Sequence, residues 1–484
     1  MTGARTPVLP RDVNDPAVLD RRHMFHPGTH LADFSGGDLP SQIIAGGKGI
    51  HVTDRDGHRM IDGFAGLWCV NVGYGRTEIA DAVHAQMEKL SYFHAYNGHS
   101  NEPAIELAAR IAGMVGLDMN HVFYGLSGSD ANETNAKIVW YYHRILGRPE
   151  KRKLIARDRS YHGSGVMSGS LTGQPGFHGL YGLPLPDVIH VAAPHYWLDG
   201  REGESERAYS RRLAQELEAT IQAEGPETVA AFFAEPVVGS GGILPSPEGY
   251  WEEVQAVLRR HDVLLVVDEV VTGFGRTGEA FGSHLYGIQP DLMALAKGLS
   301  SGYLPLSASV VSDRVWDVLE EGTRRHGPFI HGWTYSAHPV CAAAALANLD
   351  IIEREGLVAN ARDTGAYLQR CLREALGDHP MVGEVRGVGL LAAVDFVEAR
   401  EPRRFFDPAR RIGARVTEVA RQNGLIVRSM PKIDGIGLAP PLTLSRQDVD
   451  QIVDIVLEAT HAVAAQIAPV PPSPGPAKPR DREG

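Results

Sequence analysis

Eight lysines are scattered through the 484 residues, and Lys297 is set differently from its fellows. It ends the apolar run Leu292-Met-Ala-Leu-Ala-Lys297 and precedes Gly-Leu-Ser-Ser-Gly-Tyr-Leu-Pro, whereas Lys151 and Lys153 have charged or polar neighbours. A lysine at the end of a buried run tends to lose its proton, which suits an amine that attacks a carbonyl carbon. Asp268 ends another apolar run, Val263-Leu-Leu-Val-Val267. Ligands of open α/β sheets bind beyond the carboxyl ends of strands, and a carboxylate there has to be paired or hydrogen-bonded. Its neighbour Glu269 points to the opposite strand face and is not its acid–base partner. The third candidate is Ser127-Gly128-Ser129, where a strand gives way to a helix. Small residues there let backbone N–H groups and hydroxyls meet an anion at the positive helix end. A plain serine helix cap fits the same segment equally well.

An anion cradle, a strand-end acid and a semi-buried amine are the three contacts that pyridoxal phosphate needs, for its phosphate, ring nitrogen and aldehyde. A competing reading comes from Gly273-Phe-Gly-Arg-Thr-Gly278, which fits the G-x-G-x-x-G dinucleotide pattern. That fingerprint requires the glycines at the strand–helix turn itself, but Asp268-Glu-Val-Val-Thr intervenes and no continuous helix follows. Gly46-Gly-Lys-Gly49 lacks the spacing of a phosphate-binding loop and reads as a turn.

The elements that must hold these residues alternate. Asn101-Glu-Pro103 caps a helix running to Val115, a strand follows at His121–Leu126, and a helix spans Asp130–Leu146. Strands are expected at Leu154–Ala156, Val188–Val191, Val229–Phe233, Val263–Val267, Leu292–Ala296 and Ala308–Val311, with a helix at Pro247–Arg260. Such alternation predicts an α/β fold with a mostly parallel sheet. From Ser336 the pattern turns to long helices (Val340–Arg354, Val358–Leu376), short strands near Val382–Phe396 and Leu425–Arg428, and a closing helix at Arg446–Ile467. The expected domains are a large one over residues 81–335 and a smaller α+β one over 336–467, to which residues 1–80 contribute. Residues 468–484 are proline-rich, then charged, and are expected to be disordered.

With these elements in place, the chain resembles the class III (ω-amino acid or amine–pyruvate) aminotransferases of the aspartate-aminotransferase fold, pyridoxal-phosphate fold type I. The resemblance covers roughly residues 20–465. It is carried by Asp62-Gly-Phe-Ala-Gly-Leu-Trp-Cys-Val-Asn-Val-Gly-Tyr-Gly75, Ser127-Gly-Ser129, Tyr161-His-Gly163, Glu235-Pro236, Asp268 to Gly278, Lys297-Gly298 and His331-Gly-Trp-Thr-Tyr-Ser-Ala-His-Pro339. It implies that Lys297 forms the imine with the cofactor and shuttles the substrate proton, and that Asp268 keeps the pyridine nitrogen protonated. Tyr161 and Val270 would cover the two ring faces. Ser127, Gly128, Ser129 and Glu235 belong to the implied cofactor site, joined by Thr334 from a neighbouring subunit, so a homodimer or a dimer of dimers with shared sites is implied. The run Gly273–Gly278 would be a cofactor-side loop.

For substrate, Trp68, Tyr161 and Arg428 match the aromatic wall and the carboxylate-clamping arginine of that family. Where the ornithine and 4-aminobutyrate branches carry a glutamate that pairs with the arginine, this chain has Ser240, which points to pyruvate as acceptor. Gly28, in His26-Pro-Gly-Thr29, stands where the family places an aromatic, implying a roomier mouth. Transamination from an ω-amino acid, polyamine or other primary amine is the leading reading. An aminomutase or racemase of the same fold and an NAD-dependent oxidoreductase are the alternatives.

Composition narrows the setting. With 47 basic and 59 acidic residues the net charge is −12, which argues against a nucleic acid or an anionic membrane as partner. Cys69, Cys341 and Cys371 suit neither a disulfide framework nor a metal site and point to a reducing compartment. The start, Met1 to Asp15, has no apolar leader core, and no apolar run is long enough to span a membrane. A cytoplasmic protein is expected.

Overall fold

The computed structural model describes residues 15–467; the proline-rich tail and the first fourteen residues lie outside the described residues. At its centre is a seven-stranded sheet in the order His121–Gly125, Ser307–Val311, Leu292–Leu295, Leu264–Asp268, Val229–Ala234, Lys153–Arg157, Val188–Val191. Ser307–Val311 runs antiparallel to both neighbours, and the other strands are mutually parallel.

The uninterrupted apolar runs form strands because both sheet faces are covered by helices. Leu264 and Val266 pack with Ile138, Val139 and Tyr142 of the helix Gly128–Ile145. Leu265 and Val267 face the other way, onto Trp251 and Val254 of the helix Tyr250–Arg260. The two-residue period therefore turns Asp268 toward the first of these helices and Glu269 away from it. Glu269 is fully buried on the far side, where it accepts from the Gly282 and Ser283 amides (2.9 and 2.5 Å) and the Thr272 hydroxyl (2.5 Å).

Beyond the central sheet, Val382–Val388, Leu391–Phe396, Gly435–Leu438 and Arg428–Met430 form an antiparallel sheet. A further sheet joins Ile44–Lys48, His51–Asp54 and Arg59–Asp62 to Leu425–Ile426, which pairs in parallel with Arg59–Asp62. Gly46–Lys48 is thus strand, not the expected turn. It pairs antiparallel with His51–Thr53, and cross-strand partnership overrides the poor strand propensity of glycine.

The glycine run at 273–278 is also placed differently from expectation. It is a packed junction between parts of the fold and does not face the cavity described below. The Asn71 side-chain amide donates to the Phe274 carbonyl (3.1 Å), and the buried Arg276 donates to Asn71 (2.6 Å) and to the Pro440 carbonyl. A Cβ on Gly278 would lie 2.9 Å from the Arg362 backbone. The helix that follows, Gly282–Tyr286, has five residues, so no dinucleotide site is built there. Among the described residues no helix is long and apolar enough to cross a membrane.

Candidate active site

Five of the six parallel strands of the central sheet, all but Val188–Val191, deliver a polar residue at or just past the carboxyl end. These are Ser127 to Ser129 after Gly125, Tyr161 after Arg157, Glu235 after Ala234, Asp268 at its strand's end, and Lys297 after Leu295. All of them line one cavity of about 730 Å³, together with Trp68, Val270, Arg428, Ser240 and Gly28. Thr334 does not line it. It is exposed on a turn, and its carbonyl accepts from the Tyr92 hydroxyl (2.6 Å).

Asp268 is buried and triply held. Oδ2 accepts from Asn132 Nδ2 and interacts with His162 Nδ1, both at 2.8 Å, and Oδ1 accepts from the Val270 amide at 3.0 Å. Asn132 and His162 lie on segments far away in the chain, so the run before Asp268 gives no sign of them.

Lys297 takes a left-handed backbone conformation (φ 44°). Among the described residues its Nζ has no hydrogen bond or ion pair, and it stands 5.0 Å from the centre of the Trp68 ring. Burial pushes its pKa down, while the acid groups of Cys69, Asp268 and Glu235 oppose that shift. Burial alone does not single it out, because Lys151 is buried too, despite its polar neighbours. The Lys151 ammonium donates to the carbonyls of Val229, His261 and Asp262 (2.9, 3.2 and 2.7 Å). Lys151 is therefore a satisfied structural cation, and Lys297 an amine without a partner.

The cradle and the helix cap turn out to be one structure. Ser127 Oγ accepts from the Asp130 amide (3.2 Å), which makes Ser127 the cap of the helix Gly128–Ile145. Gly128 packs so closely that a Cβ would lie 2.9 Å from Val270 Cγ2, and Ser129 Oγ accepts from the Ser164 amide (3.1 Å). The positive helix end thus faces the cavity. Behind Tyr161, Glu235 accepts from the Tyr161 amide (3.0 Å) and the Gly239 amide (2.6 Å), and burial pushes the Glu235 carboxyl up. The Tyr161 ring meets Phe177 edge-on at 5.4 Å.

On the substrate side, Arg428 has no ion pair or hydrogen bond among the described residues. Its guanidinium carbon lies 4.9 Å from the Trp68 ring centre, and burial pushes its pKa down. It also borders a second, mostly apolar cavity of about 930 Å³. Gly28 has nothing within 4 Å of where a Cβ would stand, so the mouth is open at that point.

Trp68 belongs to a feature that the hydrophobic pattern gave no sign of. Ala65, Gly66, Leu67 and Trp68 have φ of 46°, 53°, 77° and 62°, and the Trp68 and Cys69 amides donate to the Phe64 and Ala65 carbonyls (2.9 and 2.8 Å). This is one turn of left-handed helix, a conformation that costs roughly 1–2 kcal/mol for each non-glycine residue.

Comparison with known proteins places this geometry among relatives. The family model for class III aminotransferases matches residues 36–460. The chain is 57% identical to the diaminobutyrate–2-oxoglutarate transaminase of Halomonas elongata over 446 residues, 92% of this chain and 95% of the relative. Among solved structures, a transaminase from a study of directed evolution by ancestral reconstruction superposes with a TM-score of 0.93 at 58% identity. That match covers 94% of this chain and all of the other. The ω-transaminase of Pseudomonas jessenii in complex with PMP superposes with a TM-score of 0.90 at 41% identity, covering 92% of this chain and 98% of its own.

Proposed function

The chain belongs to the class III aminotransferases, and from that premise we propose that it moves an amino group from an ω-amino acid, a polyamine or another primary amine to pyruvate. Enzymes of this family use pyridoxal phosphate, which when bound supplies an aldehyde for the amino group and a ring that draws electrons from the donor carbon. The cavity fits that group, because the helix end that Ser127 caps would meet a phosphate, and Lys297 offers an amine that has no hydrogen bond or ion pair among the described residues. In this reading Lys297 Nζ holds the cofactor covalently and moves the donor-carbon proton. Asp268, oriented by His162 and Asn132, holds a proton on the ring nitrogen. Gly128 and Ser129 bind phosphate from the helix end that Ser127 caps, while Tyr161 and Val270 cover the ring. Glu235 orients Tyr161 through its amide.

The observation that carries the choice of pyruvate is Ser240 in the same cavity as an unpaired Arg428. A ping-pong transaminase has to accept a keto acid and also a donor that can lack a carboxylate. A fixed buried arginine facing an uncharged amine would be an uncompensated charge, costing several kcal/mol. With no carboxylate at position 240 to hold it, and a second cavity beside it, Arg428 can swing aside. Arg428→Ala is expected to slow the pyruvate half-reaction about ten- to a hundredfold, the worth of a charge-assisted contact of roughly 1.5–3 kcal/mol. The half-reaction of a carboxylate-free amine should stay nearly intact. Single-turnover absorbance traces of each half-reaction check this, and equal damage to both would make Arg428 structural.

The name of the Halomonas elongata relative favours 2-oxoglutarate as a second reading. Incubating the enzyme with amine donors and either keto acid, and quantifying alanine against glutamate, separates the two. Faster glutamate formation would overturn the pyruvate reading.

Thr334 of the partner subunit completes the phosphate site in this proposal, which makes the enzyme a homodimer with shared sites. Cofactor at a hundred times its Kd should then stabilise the dimer by about 2.7 kcal/mol, seen as resistance to dissociation on dilution in light scattering. A fully active monomer would contradict it. The three cysteines are free, which supports a reducing, cytoplasmic setting.

A further inference from the structure

We propose that Asp62 is a positioning residue for the substrate wall: it clamps the left-handed turn Ala65–Trp68 and so sets which amine donors the cavity accepts. The selectivity part of this inference rests on the cavity being the donor site.

The turn needs an external holder, because three of its four residues are not glycine and L-residues avoid this region of backbone space. Asp62 supplies one from the end of the strand Arg59–Asp62. Its Oδ1 accepts from the Phe64 amide (3.0 Å), and its Oδ2 accepts from both the Gly66 amide (2.6 Å) and the Tyr74 hydroxyl (2.5 Å). Asp62 is itself buried, and its strand is pinned by pairing with Leu425–Ile426. Tyr74 is anchored in turn. Its backbone exchanges two hydrogen bonds with Gly49 (3.0 and 2.8 Å), and its ring lies so close to Gly47 that a Cβ there would be 2.8 Å from ring Cγ. Burial and the Asp62 charge both push the Tyr74 phenol up, which keeps it a donor.

At the far end of the turn, the Trp68 ring has no hydrogen-bonded tether among the described residues. Its indole N–H is buried without a hydrogen-bond partner, and the ring rests on Phe64 at 4.4 Å. The backbone turn and packing therefore decide where the ring stands relative to Lys297 and Arg428. A carboxylate is required at position 62, because donors meet both of its oxygens, and either orientation of an amide in its place would turn an NH2 toward at least one of them.

Asp62→Asn tests this. With 5-fluorotryptophan incorporated at the six tryptophans, the Trp68 fluorine line is assigned by its loss in Trp68→Phe. In Asp62→Asn that line should shift and broaden while the others hold. The kcat/KM for an aromatic amine should fall about ten- to a hundredfold relative to a small unbranched amine, the scale of an ångström-level misplacement. Tyr74→Phe removes one of the converging donors and should give smaller changes in the same direction; it serves as the readout if Asp62→Asn fails to fold. An unmoved Trp68 line overturns the clamp, and a moved line with an unchanged donor ratio overturns its role in selectivity. Failure of the wild-type enzyme to use any amine would count against the assigned reaction, and the fluorine line would still decide the clamp.

Discussion

Replacing Lys297 by alanine is expected to abolish amino transfer while leaving the fold intact. Its amine makes no hydrogen bond or ion pair among the described residues, so its loss breaks no network, and burial already favours the neutral, nucleophilic form. Proton transfer by a positioned side chain is worth about 10²–10⁴-fold on its own, and alanine would also remove the covalent attachment of the cofactor. Turnover should fall below detection. Borohydride reduction of the wild-type enzyme followed by peptide mass mapping checks the attachment, and a reduced adduct on Lys151 or any other lysine would refute the assignment.

Asp268→Asn is expected to lower turnover at least a hundredfold, about 3 kcal/mol of barrier. Asparagine keeps an acceptor for the Val270 amide but removes the negative charge that, in the proposed reaction, would hold a proton on the ring nitrogen. It also sets an amide NH2 against Asn132 Nδ2 and His162 Nδ1, both of which now meet Oδ2 at 2.8 Å. The variant should still attach cofactor at Lys297, so absorbance and rate together separate a chemical defect from a binding defect. A near-normal rate would mean that the ring nitrogen finds its partner elsewhere.

Much of this site is visible in the chain because local chemistry and fold agree there. Val188–Val191 reads as a strand and is one, and Asn101 caps its helix through the Ala104 amide. The strict alternation along Leu264–Asp268 was enough to turn Asp268 and Glu269 to opposite faces. Where the outcome depends on distant partners, the sequence is silent. Nothing near Lys151 announces the three carbonyls that bury it. The left-handed turn at Ala65–Trp68 contains a single glycine, so composition does not mark it. Its holder, Asp62, is recognisable only when Tyr74 and the two amides are seen converging on the same carboxylate.

The parallel pairing of Arg59–Asp62 with Leu425–Ile426 also orders events during synthesis. The strands of the central sheet and the cavity-lining residues from Ser127 to Lys297 all lie between His121 and Val311. Part of their support comes later in the chain, because Asn348 donates to the Gly298 and Leu299 carbonyls beside Lys297 (both 2.9 Å). Trp68 follows the strand Arg59–Asp62, and Arg428 follows the strand Leu425–Ile426 that pairs with it, so the two side chains do not meet until Leu425–Arg428 has emerged from the ribosome. A truncated product that stops before that point would lack Arg428 and leave the strand Arg59–Asp62 without its parallel partner.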